Sequence, residues 1–202
     1  MNRTDQFVSR SVLGFIAPVA LMLTGWWGTF LAGGTDRSIA AMAFSGLVLG
    51  MALDATVLRR GLDSLFSIGD RRLLAVALFY SVGIYGFFMG LPVFNVLVGI
   101  VGGYVIARRA AYMDWSRERA RRDARRVATV STLILGALCC ATAYLALGEP
   151  TLGAQLRGMF GLPFDVSRPT IYAIIVGGGA GLLAFQYGAT ILTARWFTNA
   201  RA

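Results

Sequence analysis

The chain of 202 residues contains no histidine and no lysine, only two cysteines and ten acids. Each shortage removes a class of chemistry. Without histidine no Ser–His or Cys–His pair can form, and the side chain that most often carries general acid–base work is missing. Cys139 and Cys140 are adjacent inside an apolar run, where neighbouring helical residues point about 100° apart. No third or fourth ligand lies near them, so neither a disulfide framework nor a metal site is expected, and no other cofactor is implied. The acids are not placed to share acid and base roles within a membrane. An enzyme is the reading with least support.

Apolar residues are what the chain has in quantity: they make up 56% of it, and the mean hydropathy is +0.65. Those values place it in a bilayer. All nineteen basic residues are arginine, and the net charge is +9. In a soluble protein that surplus would suggest nucleic acid. Here the arginines sit between apolar blocks, where topology explains them, so no nucleic-acid partner is expected.

A helix crosses the roughly 30 Å hydrocarbon core in about 20 residues. Five apolar blocks reach that length, at 12–32, 38–58, 73–107, 127–147 and 169–194. The first could imitate a signal peptide, but its length and the absence of an A-x-A cleavage pattern suit a retained span. The third is long enough for a helix of about 52 Å and must fold back. At its centre Gly90 suits a helix C-terminus and Pro92 the first turn of the next helix. The spacing therefore predicts an all-α integral membrane protein, a single domain over 1–202. Its six transmembrane helices, at 12–32, 38–58, 73–89, 92–107, 127–147 and 169–194, are arranged as three helical hairpins. The turn at Gly90 should lie slightly below the outer surface, shielded from lipid.

With both termini in the cytoplasm, sixteen arginines fall inside and only Arg37, Arg157 and Arg168 outside. That asymmetry is the positive-inside pattern of an inner-membrane protein. Trp26 and Trp27, with Trp115 and Trp196 at the opposite side, fit interfacial belts. Weak internal echoes, 45–61 against 94–110 and GLPVFN against GLPFDV, hint at related hairpins of the kind small transporters use.

Several constellations are candidates for a site. Gly46, Gly50 and Asp54 form one stripe of the second span; the glycines admit a neighbouring helix, which turns Asp54 into the bundle. An intramembrane carboxylate is a candidate coordinating or proton-accepting group, although pairing with Arg59 is the plainer alternative. Asn95, Gly99 and Gly103 repeat the spacing in the fourth span, and Gln186 shares a face with Gly178 and Gly179 in the sixth. Counted from the cytoplasmic arginines, Asp54, Gln186 and Asn95 are about 6 Å apart in height, a polar ladder or three separate interhelical hydrogen bonds. Tyr80 and Tyr85 are candidate pocket walls, equally explained by packing.

The run VGGGAG, 176–181, lacks the strand and lysine of a phosphate loop and reads as close helix packing. The segment 108–126 carries Arg108, Arg109, Arg117, Arg121, Arg122 and Arg125 with interspersed acids, such as Glu118 four residues before Arg122. It is expected to extend the fifth span as a helix and to meet anionic headgroups or a membrane or cytoplasmic protein partner. Residues 148–169 suggest a short interfacial helix. The sequence thus favours a protein that binds or translocates a small solute or cation along a polar line in the bundle. The competing class is a non-transporting membrane subunit or scaffold.

Overall fold

The computed structural model of the chain describes residues 3–58, 65–87, 92–161 and 163–199. Lipid offers no hydrogen bonds, so a spanning backbone must satisfy its own polar groups. Among the described residues every regular element is accordingly a helix. Five helices are long and apolar enough to cross a bilayer: Arg3–Leu31, Asp36–Thr56, Pro92–Tyr112, Arg117–Gly148 and Arg168–Thr198. They coincide with five of the six expected spans. The expected span at 73–89 corresponds to a helix with Asp70, Arg71 and Arg72 in its first turn, and its uncharged described part, 73–87, is only about 22 Å long. Gly90 and Leu91, the centre of the expected hairpin turn, lie outside the described residues; Pro92 opens a short 3-10 turn, Pro92–Asn95.

The distribution of polarity is that of a chain solvated by lipid. Phe44, Leu133, Leu145, Val176 and Leu192 are each more than 60% exposed, whereas Asp5, Asn95, Gln186 and Thr190 are at most 2% exposed. The helices gather into two compact units, Met1–Val76 and Ala77–Ala202.

In the first unit, α1 (Arg3–Gly14) and α2 (Ile16–Leu31) follow one another with a break at Phe15. Pro18 causes it, because a proline has no N–H for the carbonyl four residues earlier, here that of Gly14. The ladder continues on both sides, with Phe15 N–H donating to Ser11 at 3.1 Å and Val19 N–H to Phe15 at 3.0 Å. Gly33, at φ 73°, takes the left-handed turn out of α2. Thr35 then caps α3 (Asp36–Leu53), its hydroxyl accepting from the Ser38 N–H at 3.3 Å. α3 folds back antiparallel on α2. Gly46 abuts the Leu21 carbonyl and Gly50 the backbone of Pro18, contacts a side chain would prevent. The helix then widens into a π-helical segment, Asp54–Leu58. On α1, Ser9 accepts from the Leu65 N–H at 2.8 Å, fastening that helix to the turn that follows residue 64.

α4 (Asp70–Phe87) begins in the first unit and ends in the second. The second unit is built on α5 (Val96–Tyr112), α6 (Arg117–Gly148) and α8 (Arg168–Asn199), which pack against one another. Ile106, Ala124 and Ala194 form a core with Val127 and Ile191 against it. Ala120, Ala124 and Ala128, spaced by four, bury one side of α6. The arginine-rich segment 108–126 is not one helical extension of the fifth span: Arg108 and Arg109 end α5, a turn at 113–116 with Asp114 at φ 49° breaks the helix, and only the residues from Arg117 onward extend α6. Between α6 and α8 lies α7 (Leu152–Phe160), the short helix expected there; it ends at Gly161 with φ 63°.

Candidate functional site

Asp54 faces inward. It is 6% exposed, and its carboxylate lies where a side chain at residue 14 would begin: a Cβ on Gly14 would stand 3.1 Å from Oδ2. The stripe read from the sequence therefore pairs turn by turn with the preceding helix: Gly46 with Leu21, Gly50 with Pro18, Asp54 with Gly14. Two small residues bring the backbones together, and the third position uses the missing side chain of Gly14 to admit a carboxylate.

In the second unit the structure brings Asn95 and Gln186 onto one seam. Gly99 faces Gln186 and Thr190, and Gly103 faces Thr190 and Ala194, so α5 and α8 run parallel in close contact. Asn95 stands one turn before Gly99 at the start of this seam. The register sets Asn95 and Gln186 about 3 Å apart in height, rather than about 6 Å, because Arg108 and Arg195, from which the heights were counted, are not level. Asn95 is 2% and Gln186 1% exposed. Neither Nδ2 nor Oδ1 of Asn95, nor Oε1 of Gln186, has a hydrogen-bond partner among the described residues. Thr190, fully buried, donates to the Gln186 backbone carbonyl at 2.8 Å. A buried amide group left without a partner costs about 1–3 kcal/mol. The seam thus holds open donors and acceptors in an otherwise apolar contact, which suits a water molecule or a small polar guest.

The tyrosines separate. Tyr85 shares a 3.0 Å hydrogen bond with Thr142 of α6 and so ties α4 to that helix, whereas half-buried Tyr80 packs edge-on against Phe79, ring centroids 5.4 Å apart. The arginines also fall into two settings. Arg108 and Arg109 are each only 7% exposed, drawn inward against the Tyr112 and Trp115 rings. Arg117, Arg121, Arg122 and Arg125 are exposed, and the expected Glu118–Arg122 pair forms at 4.0 Å in open solvent, where its contribution is small.

Sequence reading passes over two features. A hollow of about 360 Å³ is lined by Glu149, Thr151, Gly153, Asp165, Arg168 and Ile171, among others, where α6, α7 and α8 meet. There Thr151 donates its hydroxyl at 2.6 Å and its backbone N–H at 3.3 Å to Glu149, holding that carboxyl below the usual glutamate range, hydroxyl first in importance. The second is Gly14, whose pairing with Pro18 at a four-residue spacing is visible in the sequence once the break is looked for. Among the described residues, no group of three or more acidic or cysteine side chains is placed to hold a metal ion. The chain matches no family model, and neither a curated protein nor a solved structure is significantly similar to it.

Proposed function

We propose that the chain is a polytopic inner-membrane protein that binds or translocates a small solute or cation through polar groups inside its helix bundle. It has six spans in three hairpins, with α4 as the third span and both termini cytoplasmic. Asn95 and Gln186 act as neutral ligands and Asp54 as the charged group, with Tyr80 a pocket wall; the Tyr85 hydroxyl is engaged by Thr142. The observation that carries the reading is the α5–α8 seam, where two carboxamides are buried with three side-chain atoms unpartnered among the described residues. Apolar side chains there would avoid the desolvation cost, so retained carboxamides favour a polar occupant.

The test is a thermal-shift screen of the purified protein against small polar solutes, repeated with Asn95→Leu and Gln186→Leu. A solute that raises Tm by several degrees in the wild type should lose that effect in both variants. If both variants are more stable than the wild type and every solute effect is unchanged, the seam is only packing and the proposal fails.

A second reading, a membrane subunit that docks a partner, has its own support. Gly177, Gly178, Gly179 and Gly181 of α8 have open space where side chains would be. Gly25, Gly46 and Gly50 at the α2–α3 contact, and Gly99 and Gly103 at the α5–α8 contact, by contrast, each meet another helix. The exposed arginines of α6 supply a surface for anionic headgroups or a cytoplasmic protein, at about 1 kcal/mol per basic residue near a charged membrane. Gly177→Leu and Gly181→Leu should leave the isolated chain's Tm unchanged and lower its mass in native mass spectrometry if that face holds a partner. Unchanged mass would discard this reading.

A further inference from the structure

We infer that the hollow where α6, α7 and α8 meet holds the head of a phosphoethanolamine lipid, its phosphate towards Arg168 and its ammonium towards Glu149. The inference uses neither the α5–α8 seam nor Asp54, so it stands apart from the solute reading.

The hollow is held open by cross-links. Gly153 of α7 has no side chain where the Val166 carbonyl approaches; a Cβ there would stand 2.6 Å from that oxygen. The Val166 N–H donates to the Gly153 carbonyl at 3.5 Å, and Arg157 pairs with Asp165 at 3.2 Å. Both contacts hold α7 against the segment that leads into α8. At the start of α8, Ser167 accepts from the Thr170 N–H at 3.4 Å. The space left between these elements is about 360 Å³, near the lower end of the range, about 300–1,000 Å³, of small-molecule pockets. It has room for a headgroup rather than a large solute.

The lining carries charge of both signs. Glu149 accepts from the Thr151 hydroxyl and N–H, and both bonds fall on Oε1, so Oε2 keeps its acceptor capacity. The same bonds hold that carboxyl ionised. Asp165 is already matched by Arg157. Arg168 lines the hollow, is exposed, and has no ion pair or hydrogen bond among the described residues. The unmatched charges are therefore one negative, on Glu149, and one positive, on Arg168. A cation alone would leave Arg168 unanswered and an anion alone would meet Glu149, whereas a zwitterion satisfies both. The planar fork of arginine suits a phosphate, and a primary ammonium brings N–H donors to a carboxylate.

The surroundings make that zwitterion a lipid. Ala146 and Ile171 line the hollow, and within about 5 Å along their helices stand Leu145 and Ile174, each more than half exposed, as side chains facing acyl chains are. Tyr144 and Tyr172, 81% and 49% exposed, lie beside them on the same two helices, and tyrosine is a residue type that gathers at headgroup level. Beyond the hollow, Glu149 and Thr151 are exposed polar groups. The hollow thus sits where hydrocarbon gives way to water.

The experiment titrates purified, lipid-stripped protein in detergent with phosphatidylethanolamine and phosphatidylcholine of identical acyl chains, counting bound lipid by native mass spectrometry. The two heads differ in that the choline nitrogen has no N–H to give Glu149. One ethanolamine lipid should bind at least about tenfold more tightly than the choline lipid, the worth of a hydrogen bond to a charged group. Glu149→Gln should bring the ethanolamine lipid down to the choline level, and Arg168→Gln should weaken both alike. Glu118→Gln, at the far end of α6, should change neither. O-phosphoethanolamine, the head without its chains, should compete at least about tenfold less well, since it buries no hydrocarbon. If it competes as well as the lipid does, the hollow takes a soluble zwitterion and the lipid assignment falls. Equal binding of the two lipids by the wild type overturns the inference whatever the variants do. So does a preference that survives Glu149→Gln, an affinity that survives Arg168→Gln, or an equal loss in Glu118→Gln.

Discussion

Glu149 is one of two glutamates in the chain, with Glu118 the other, and the two occupy contrasting settings. Glu118 is wholly solvated beside Arg122, while Glu149 is held ionised by Thr151. Because the folded-state pKa of Glu149 is lowered, its contribution to stability is complete above the unfolded value and fades as pH falls through the folded one. Thr151→Val should move the Glu149 titration up towards the ordinary glutamate range. Carbon-13 labelling of glutamate alone gives two resonances on which to read this. The carboxamides make the opposite case: Asn95→Leu should be neutral to stabilising by up to about 2 kcal/mol in the absence of a guest, since an unpartnered buried amide is replaced by hydrocarbon. A loss of several degrees in Tm would show that Asn95 is paired in solution. Residues of this kind were legible in the sequence to differing degrees. Asp54 and Gln186 stand out as polar groups among apolar neighbours. The Tyr85–Thr142 bond joins residues 57 apart, and no local periodicity encodes it.

At the scale of the element, the glycines sort into two groups with opposite expected behaviour. Gly103 faces the Thr190 carbonyl directly, so Gly103→Ala should part α5 from α8 and cost about 2–4 kcal/mol. Gly178 has nothing beside it, and Gly178→Ala should be neutral or stabilise by about 1 kcal/mol, the ordinary helix preference for alanine. Thermal unfolding in one detergent checks both, and equal effects would mean that the α5–α8 contact is absent in solution. The spacing of Gly46 and Gly50 announced a packed face because a helix repeats at four residues. The same spacing says nothing about which glycines are covered, since that depends on which helix arrives. For the same reason α5 and α8 were legible as helices while their register was not. The break at Phe15 is written in Pro18, but a window of about 20 apolar residues reads straight across it.

At the scale of the whole molecule the decisive quantity is the number of crossings. With six spans, Thr35 and Thr151 lie on the outer side and Ser116 on the inner. If α4 does not cross, Thr35 and Ser116 share a side and Thr151 lies opposite. Single cysteines at these positions, in a background with Cys139 and Cys140 replaced by alanine, should therefore react with an impermeant maleimide in spheroplasts at 35 and 151 and not at 116. Labelling at 35 and 116 alone would overturn the six-span proposal. The helical membrane class was plain from composition because lipid solvation leaves so large an apolar signal. The proposed third span was less legible, since its uncharged stretch is short and Asp70, Arg71 and Arg72 crowd its start.

The unbroken course of α6 has a mechanical consequence. It runs 32 residues from Arg117 to Gly148 without a proline, a rod of about 48 Å. Its arginine-rich end is exposed and its far end borders the hollow beside Glu149. Under the proposed topology, a torque applied to the guanidinium-studded tip would reach the opposite surface of the membrane as rigid rotation, with Tyr85 and the α5–α8 pair as its bearings.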